Sequence, residues 1–285
     1  MNIASGLNID GLHWSEDGYA AISGNLLNWA TALDKVFLQW AEEFGAVDHR
    51  FPTMIAAKSL APISYLKSFP HLATFAVAAD RDPAVLSDLS SAPDGNVPGE
   101  FMEPIRQLLT PAACYHFYPR LAGQRLTEAK FMTTKCQCYR REEFYQPLQR
   151  QWCFEMRELV CLGSEEIIAG FIEDCRQCVD RLAQYLEITC NWQVATDPFF
   201  DPAGDSKALA QILAPTKQEL CLENGLAIGS INEHRNFFGE CYDIWLNDQP
   251  VQSACVAFGI ERWLFAMFAA HGPDISQWPE PGAAR

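Results

Sequence analysis

From Leu26 to Phe44 the apolar residues Leu26, Ala30, Leu33, Phe37, Trp40 and Phe44 recur at steps of three and four. That spacing predicts a helix with one buried stripe, stopped by Gly45. An extended segment over residues 46–52 follows and ends at Pro52, whose ring forbids further helix. Residues 80–99 carry three prolines and two glycines with few large apolar side chains, which predicts a surface excursion holding one short helix. Residues 131–139 and 152–162 are β-prone or apolar runs flanking a polar stretch, and together they predict a long antiparallel hairpin. Ser164 then caps a helix with Glu165 and Glu166 in its first turn, where carboxylates suit the dipole. Its stripe is Ile168, Phe171, Ile172, Cys175, Val179, Leu182 and Leu186. A short helix over 206–213, strands over 226–231 and 241–246, and a last helix over 260–270 complete the pattern. The tail after Gly272 is proline-rich and reads as loose. Helices and hairpins interleave without regular βαβ alternation, so an α+β fold is expected, a mostly antiparallel sheet flanked by helices.

The 285 residues include 21 Lys+Arg and 36 Asp+Glu, a net charge of −15. So acidic a chain is not built chiefly to grip a phosphate backbone. With 49% hydrophobic residues it has ample core material, and no run reaches the ~20 apolar residues of a membrane span. No signal peptide is visible at the N-terminus, and the eleven cysteines are an odd number. The expectation is a cytoplasmic protein whose thiols are free or metal-bound.

Two segments offer chemistry. On the hairpin, Arg140 at the end of the first strand and an arginine in the turn can converge on one anion. Phe154 and Glu158 share a face of the returning strand, because strand side chains alternate. An aromatic plate, two guanidinium groups and a carboxylate suit a nucleoside triphosphate beside a polar substrate; a solvated charged hairpin has the same spacing. The second segment is Phe258-Gly259-Ile260-Glu261-Arg262, where a strand ends at glycine and a helix opens. An arginine in a first helical turn opposes the dipole, so it either meets an anion or faces solvent.

Taken together, Tyr139-Arg140-Arg141-Glu142 with residues 154–158, and Phe258 to Arg262, resemble motifs 2 and 3 of class II aminoacyl-tRNA synthetases. Residues 26–52 resemble motif 1, a long helix and a strand ending in proline at a dimer interface. The connecting sequence looks most like seryl-tRNA synthetase cores. It is closest to their shortened bacterial relatives, the amino acid:carrier-protein ligases. The features are Tyr65-Leu-Lys-Ser-Phe-Pro-His71, Thr110-Pro-Ala-Ala-Cys-Tyr-His-Phe-Tyr-Pro119, Phe154-Glu-Met-Arg-Glu158 and Ser230-Ile-Asn-Glu-His-Arg-Asn-Phe-Phe-Gly239. The resemblance implies one catalytic domain over 1–285, with an N-terminal extension over 1–25, a loose tail over 273–285, and a homodimer. The long tRNA-binding arm of seryl-tRNA synthetases has no counterpart among the 25 or so residues before the first helix, so no tRNA partner is expected.

What the resemblance implies for the site is specific. A zinc ion would be held by Cys114, Glu158 and Cys255, with Glu158 also at the substrate amino acid; the open fourth position would take the α-amino group. ATP with Mg²⁺ would meet Arg140, Glu142, Arg150, Gln151, Phe154, Lys217, Glu219, Ala227, Ile228, Gly229, Ser230 and Arg262. Of these, Arg140 and Arg262 are the catalytic pair and Glu219 a candidate magnesium ligand. A small amino acid, glycine or alanine, would be activated as its adenylate and passed to the phosphopantetheine thiol of a carrier protein. Two other readings stay open: a seryl-tRNA synthetase-like enzyme charging RNA, and a non-catalytic zinc-binding paralogue. Arg141 and Glu143 form an overlapping Arg-x-Glu, so the motif-2 register is open by one residue. The helix near 206–213 is a candidate carrier-docking element. Cys175-Arg-Gln-Cys178 lies on a helical stripe and reads as core, and Cys136-Gln-Cys138 as structural. His116 and His234 fall in family-like segments, with neither expected to be catalytic.

Overall fold

The computed structural model describes residues 7–92 and 97–283. The first predicted helix forms as Gly24–Glu43 (α1). It buries Leu26, Trp29, Ala30, Leu33, Val36, Phe37, Trp40 and Ala41, and it ends before Gly45, which adopts φ +69°. Seven strands make the main sheet: Val47–His49 (β1), Lys130–Tyr139 (β2), Cys153–Gly163 (β3), Cys190–Val194 (β4), Lys217–Leu222 (β5), Ala227–Arg235 (β6) and Gln252–Gly259 (β7). Their spatial order is β4-β5-β6-β7-β3-β2-β1. Every neighbouring pair is antiparallel except β1 with β2. The other helices used below are Glu165–Tyr185 (α2), Ser206–Leu213 (α3), Phe237–Tyr242 (α4) and Ile260–His271 (α5).

Strand β3 shows how one sequence serves two faces. Leu159 and Cys161 join the core beneath α1, α2 and α5, while Val160 and Leu162 join the core on the opposite side. The helix-side core is aromatic where α1 crosses the sheet: Phe37 stacks on Phe258 at 4.0 Å and meets Trp263 edge-on at 5.6 Å. In α2, Ser164 caps the helix by accepting from the Ile167 N–H, and Cys175 and Cys178 are both buried in that core. The expected short helix of the 80–99 excursion is Pro83–Ser90, which buries none of its residues; residues 93–96 lie outside the described residues.

Two expectations are corrected. Residues 241–246 are not a strand: α4 runs to Tyr242, Asp243 turns left-handed at φ +55°, and only Trp245–Leu246 is extended. The helix is preferred because Phe238 and Tyr242, four residues apart, both plug the core, Phe238 lying flat on Tyr118 at 3.7 Å. Gly239 between them packs so close to the 250–251 backbone that a Cβ would sit 2.4 Å from the Val251 carbonyl oxygen. The tail is also not loose across its described part. Trp278 is 4% exposed and meets Trp29 of α1 edge-on at 5.5 Å, and Trp29 Nε1 donates to the Pro279 carbonyl (3.0 Å). One buried indole outweighs the prolines around it.

Helix α5 is tied to the sheet by a carboxylate. The Glu155 N–H donates to both side-chain oxygens of Glu261 (2.9 and 3.0 Å), and burial pushes that carboxyl up to about 8. Between the ordinary carboxylate value and about 8 the folded protein therefore holds a proton that the unfolded chain releases. The stability this group contributes is present at low pH and lost as pH rises. Glu261→Gln keeps an oxygen acceptor and cannot ionise. Urea unfolding should thus show wild type losing stability relative to the Gln variant from pH 5 to pH 8; a constant difference would refute the assignment. Trp278→Ala should cost about 3–5 kcal/mol in the same assay, as truncation of a buried tryptophan does, and a cost under about 1 kcal/mol would mean the tail is not docked.

Candidate active site

On the face of the sheet away from α1, a cavity of about 430 Å³ opens over β3, β6 and β7. Register explains who meets in it. Glu158 stands opposite Ala257, and Cys255 lies two residues along β7 from Ala257, so the two side chains are diagonal neighbours on one face. Cys114 comes from above, in the turn Ala113–His116, where its backbone N–H donates to Glu158 Oε2 (2.5 Å). The three ligand atoms lie within 4.8 Å of one another and all three residues are buried; no other such group of three occurs among the described residues.

Electrostatics makes this trio a costly arrangement for a bare protein. A hydrogen bond between the sulfurs holds the Cys255 thiol well below the ordinary thiol value and, with burial, pushes Cys114 well above it. Burial, and then the Cys255 charge, raises the Glu158 carboxyl to about 8. Three acidic groups face one another, and among the described residues no lysine or arginine forms an ion pair with the Glu158 carboxylate. Two sulfurs and a carboxylate are a donor set that could hold a metal ion, and they are of the kind zinc takes.

The other end of the cavity is cationic. Arg140 follows β2, and its Nε donates to the Pro111 carbonyl (2.8 Å) while its guanidinium lies 5.4 Å from the centre of the Phe154 ring. Arg262, in the first turn of α5, donates to the carbonyls of Gln149 (2.9 Å) and Ala227 (2.8 Å). Burial, followed by repulsion from Arg140, lowers Arg262 to about 10. Among the described residues neither arginine forms an ion pair. Among the described residues the hydrogen bonds of these two guanidinium groups go only to carbonyls, so neither charge is neutralised by a partner.

Of the residues singled out in the sequence, Cys114, Arg140, Glu142, Gln151, Phe154, Glu158, Lys217, Glu219, Ala227, Ile228, Gly229, Ser230, Cys255 and Arg262 border this one cavity. Arg150 does not: it pairs with Glu142 (2.6 Å) and lies over Phe144. Gln151 borders the cavity, but its amide is committed to the turn, accepting from Leu148 N–H and donating to the Cys153 carbonyl. That hold supports Leu148, which sits left-handed at φ +59°. Lys217 contacts both Asp197 (2.9 Å) and Glu219 (3.0 Å), and Ile228 belongs to the helix-side core. Arg140 rather than Arg141 faces the cavity; Arg141 is exposed beside Trp152. His116 stacks on Phe51 at 4.8 Å, away from the chemistry. Sequence reasoning missed Asp197 and Asn232. Asn232 stands in the segment Ser230-Ile-Asn-Glu-His234, where the charged Glu233 breaks any period-two alternation, so no pattern singled it out.

Comparison with known proteins places these features in a family. No family model matches the chain. Amino acid–acyl-carrier-protein ligases 1 and 2 of Bradyrhizobium diazoefficiens are each 34% identical to it. The first aligns over 248 residues, covering 83% of this chain and 75% of the relative; the second over 243, covering 81% and 71%. The type-2 serine–tRNA ligase of Methanococcus aeolicus is 25% identical over 251 residues, 81% of this chain and 48% of its own. Among solved structures, M. kandleri SerRS in complex with A. aeolicus tRNASec superposes with a TM-score of 0.81 at 19% identity, over 95% of this chain and 57% of that one. Giardia lamblia prolyl-tRNA synthetase follows at 0.65 and 12%, over 90% and 50%. The fold is therefore that of a class II aminoacyl-tRNA synthetase core. At 34% identity over three quarters of a relative's length, the chain belongs to the amino acid–acyl-carrier-protein ligases.

Proposed function

We propose that this ligase uses ATP to activate a small amino acid, glycine or alanine, as its adenylate and transfers it to the phosphopantetheine thiol of a carrier protein. The observation that carries the reading is the joining, in one cavity, of an anion-receptive arginine pair to a buried thiol–carboxylate–thiol trio. A zinc ion held by Cys114, Glu158 and Cys255 would supply a Lewis-acid position for the neutral amine, distinguishing amino acids from plain carboxylic acids. The donor set and its burial fit that ion. Tyr65, Tyr115 and Phe238 border the same space.

In the activation step a carboxylate oxygen of the amino acid attacks the α-phosphorus, and the bond to pyrophosphate breaks. The nucleophile is already ionised, so no general base is needed. Arg140 and Arg262 offset the charge that builds on the phosphate oxygens, with Phe154 against the base, Glu142 at its edge and Lys217 and Glu219 toward the phosphates and Mg²⁺. In the transfer step the carrier thiol, releasing its proton to solvent, attacks the carbonyl of the mixed anhydride, and AMP departs with the bonding pair. Helix α3 borders the cavity through Lys207 and Gln211 and exposes Leu209, Ile212 and Leu213, which makes it the docking face in this reading. A homodimer would form at α1 and the sheet edge at β1, where Val47 is exposed.

The decisive experiment is amino-acid-dependent ATP–pyrophosphate exchange across small amino acids, followed by intact-mass analysis of a phosphopantetheinylated carrier protein. Exchange with glycine or alanine and one aminoacyl addition on the carrier are expected; exchange with loading of RNA instead would move the enzyme to the synthetase class. Arg262→Ala should lower exchange by about 10²–10³, the loss typical of one transition-state charge contact, and a loss under about tenfold would remove it from the phosphate site. Cys255→Ala should abolish both zinc retention and exchange while the circular dichroism stays native; unchanged turnover would exclude zinc from the reaction.

A further inference from the structure

Behind the trio, on β6, lies a second layer of polar side chains that activation chemistry does not use. Asn232 stands directly opposite Cys255 in the β6–β7 register, and its Nδ2 donates to Cys255 Sγ (3.5 Å) and to Ser230 Oγ (3.2 Å). His234, two residues on and on the same face, places Nε2 3.6 Å from the same sulfur. His234 does not belong to the group whose ligand atoms all lie within 4.8 Å. It therefore touches a ligand without completing the set.

Two hydroxyls meet the far side of the imidazole. Nδ1 lies 3.3 Å from Tyr118 Oη and 3.2 Å from Ser253 Oγ. Tyr118 is fully buried, and its hydroxyl meets Ser253 as well as Nδ1. A ligating thiolate can only accept a hydrogen bond, so Nε2 is the donor toward Cys255 and Nδ1 accepts from one of the two hydroxyls. Hydrogen then resides on Nε2, aimed at the sulfur. The ring is held in place by Phe238, which meets it edge-on at 4.7 Å and itself lies flat on Tyr118.

We propose that His234 is a positioning residue for the metal-binding trio: its Nε2–H, beside the Asn232 amide, holds the Cys255 sulfur in its ligating position, with the Tyr118 and Ser253 hydroxyls meeting its Nδ1. This rests on the zinc reading of Cys114, Glu158 and Cys255. Two N–H donors on one sulfur restrict its rotamer and draw off part of the charge that two thiolates and a carboxylate would otherwise concentrate at one point. Outer-layer partners of this kind are worth about 10–100-fold in metal affinity.

The test measures zinc affinity by chelator competition, and the cobalt-substituted protein's sulfur-to-metal charge-transfer band, in wild type, His234→Asn and His234→Gln. The Gln amide reaches the Nε2 position and keeps the donor to Cys255, whereas Asn reaches only the Nδ1 position. The Asn variant should bind zinc about 10–100-fold more weakly with a shifted band, and the Gln variant should stay within about threefold of wild type. A folded Asn variant with wild-type affinity overturns the inference while leaving the zinc reading intact. Wild type binding less than one equivalent overturns both. The tautomer is checked without any substitution: side-chain ¹⁵N spectra of zinc-loaded wild type should show hydrogen on Nε2 and a bare Nδ1, and the reverse pattern overturns the inference even if the Asn variant does not fold.

Discussion

Burying Glu158 between two thiols is the constraint around which this molecule is organised. A carboxyl raised to about 8 by its surroundings gains nothing for the fold on its own, so its position has to be fixed by neighbours. The next residue does much of that work. Arg157 is 4% exposed and points to the opposite face of β3, where it grips Asp34 of α1 with two nitrogens (2.8 and 3.0 Å) and Asp48 of β1 with a third (2.9 Å). Adjacent strand residues face opposite ways, so pinning Arg157 pins Glu158. A buried ion pair of this sort is weak evidence for stability and good evidence for a fixed register. Thr133 adds a bond to the Glu158 carbonyl (2.9 Å).

The same strand therefore connects three things that are far apart in sequence: α1 with β1, the site carboxylate, and α5 through the Glu155–Glu261 contact. Lys135 on β2 closes this charged belt by reaching both Asp34 (3.6 Å) and Glu155 (3.3 Å). In the proposed dimer, α1 and β1 would be the subunit contact, so whatever fixes the dimer also fixes the register of β3 and with it the spacing between Glu158 and Cys255.

Periodicity made the long elements legible. α1, α2 and α5 were set by stripes at helical spacing, and the β2–β3 hairpin by two apolar runs, because in each case burial on one face decides the local structure. It failed where a few contacts override composition. Residues 241–246 read as a strand-like run, yet Phe238 and Tyr242 need helical spacing to reach Tyr118. The tail reads as loose from its prolines, yet Trp278 docks on Trp29. In the site, the arginines and the thiol–carboxylate–thiol trio could be named in advance from motif resemblance. The commitment of Gln151 to the turn could not, because it serves a left-handed Leu148 that no residue preference announces, and neither could the pairing of Arg150 with Glu142.

Asp197 shows how the two ends of the proposed reaction are mechanically joined. Its carboxylate accepts from Lys217 (2.9 Å) at the cavity and from Gln211 of α3 (2.8 Å), and its backbone N–H donates back to the Gln211 amide oxygen (2.9 Å). Attraction to Lys217 holds that carboxyl below the ordinary range despite burial, so it stays charged and keeps both partners. The exposed apolar helix and the cavity lysine are thus set by one side chain.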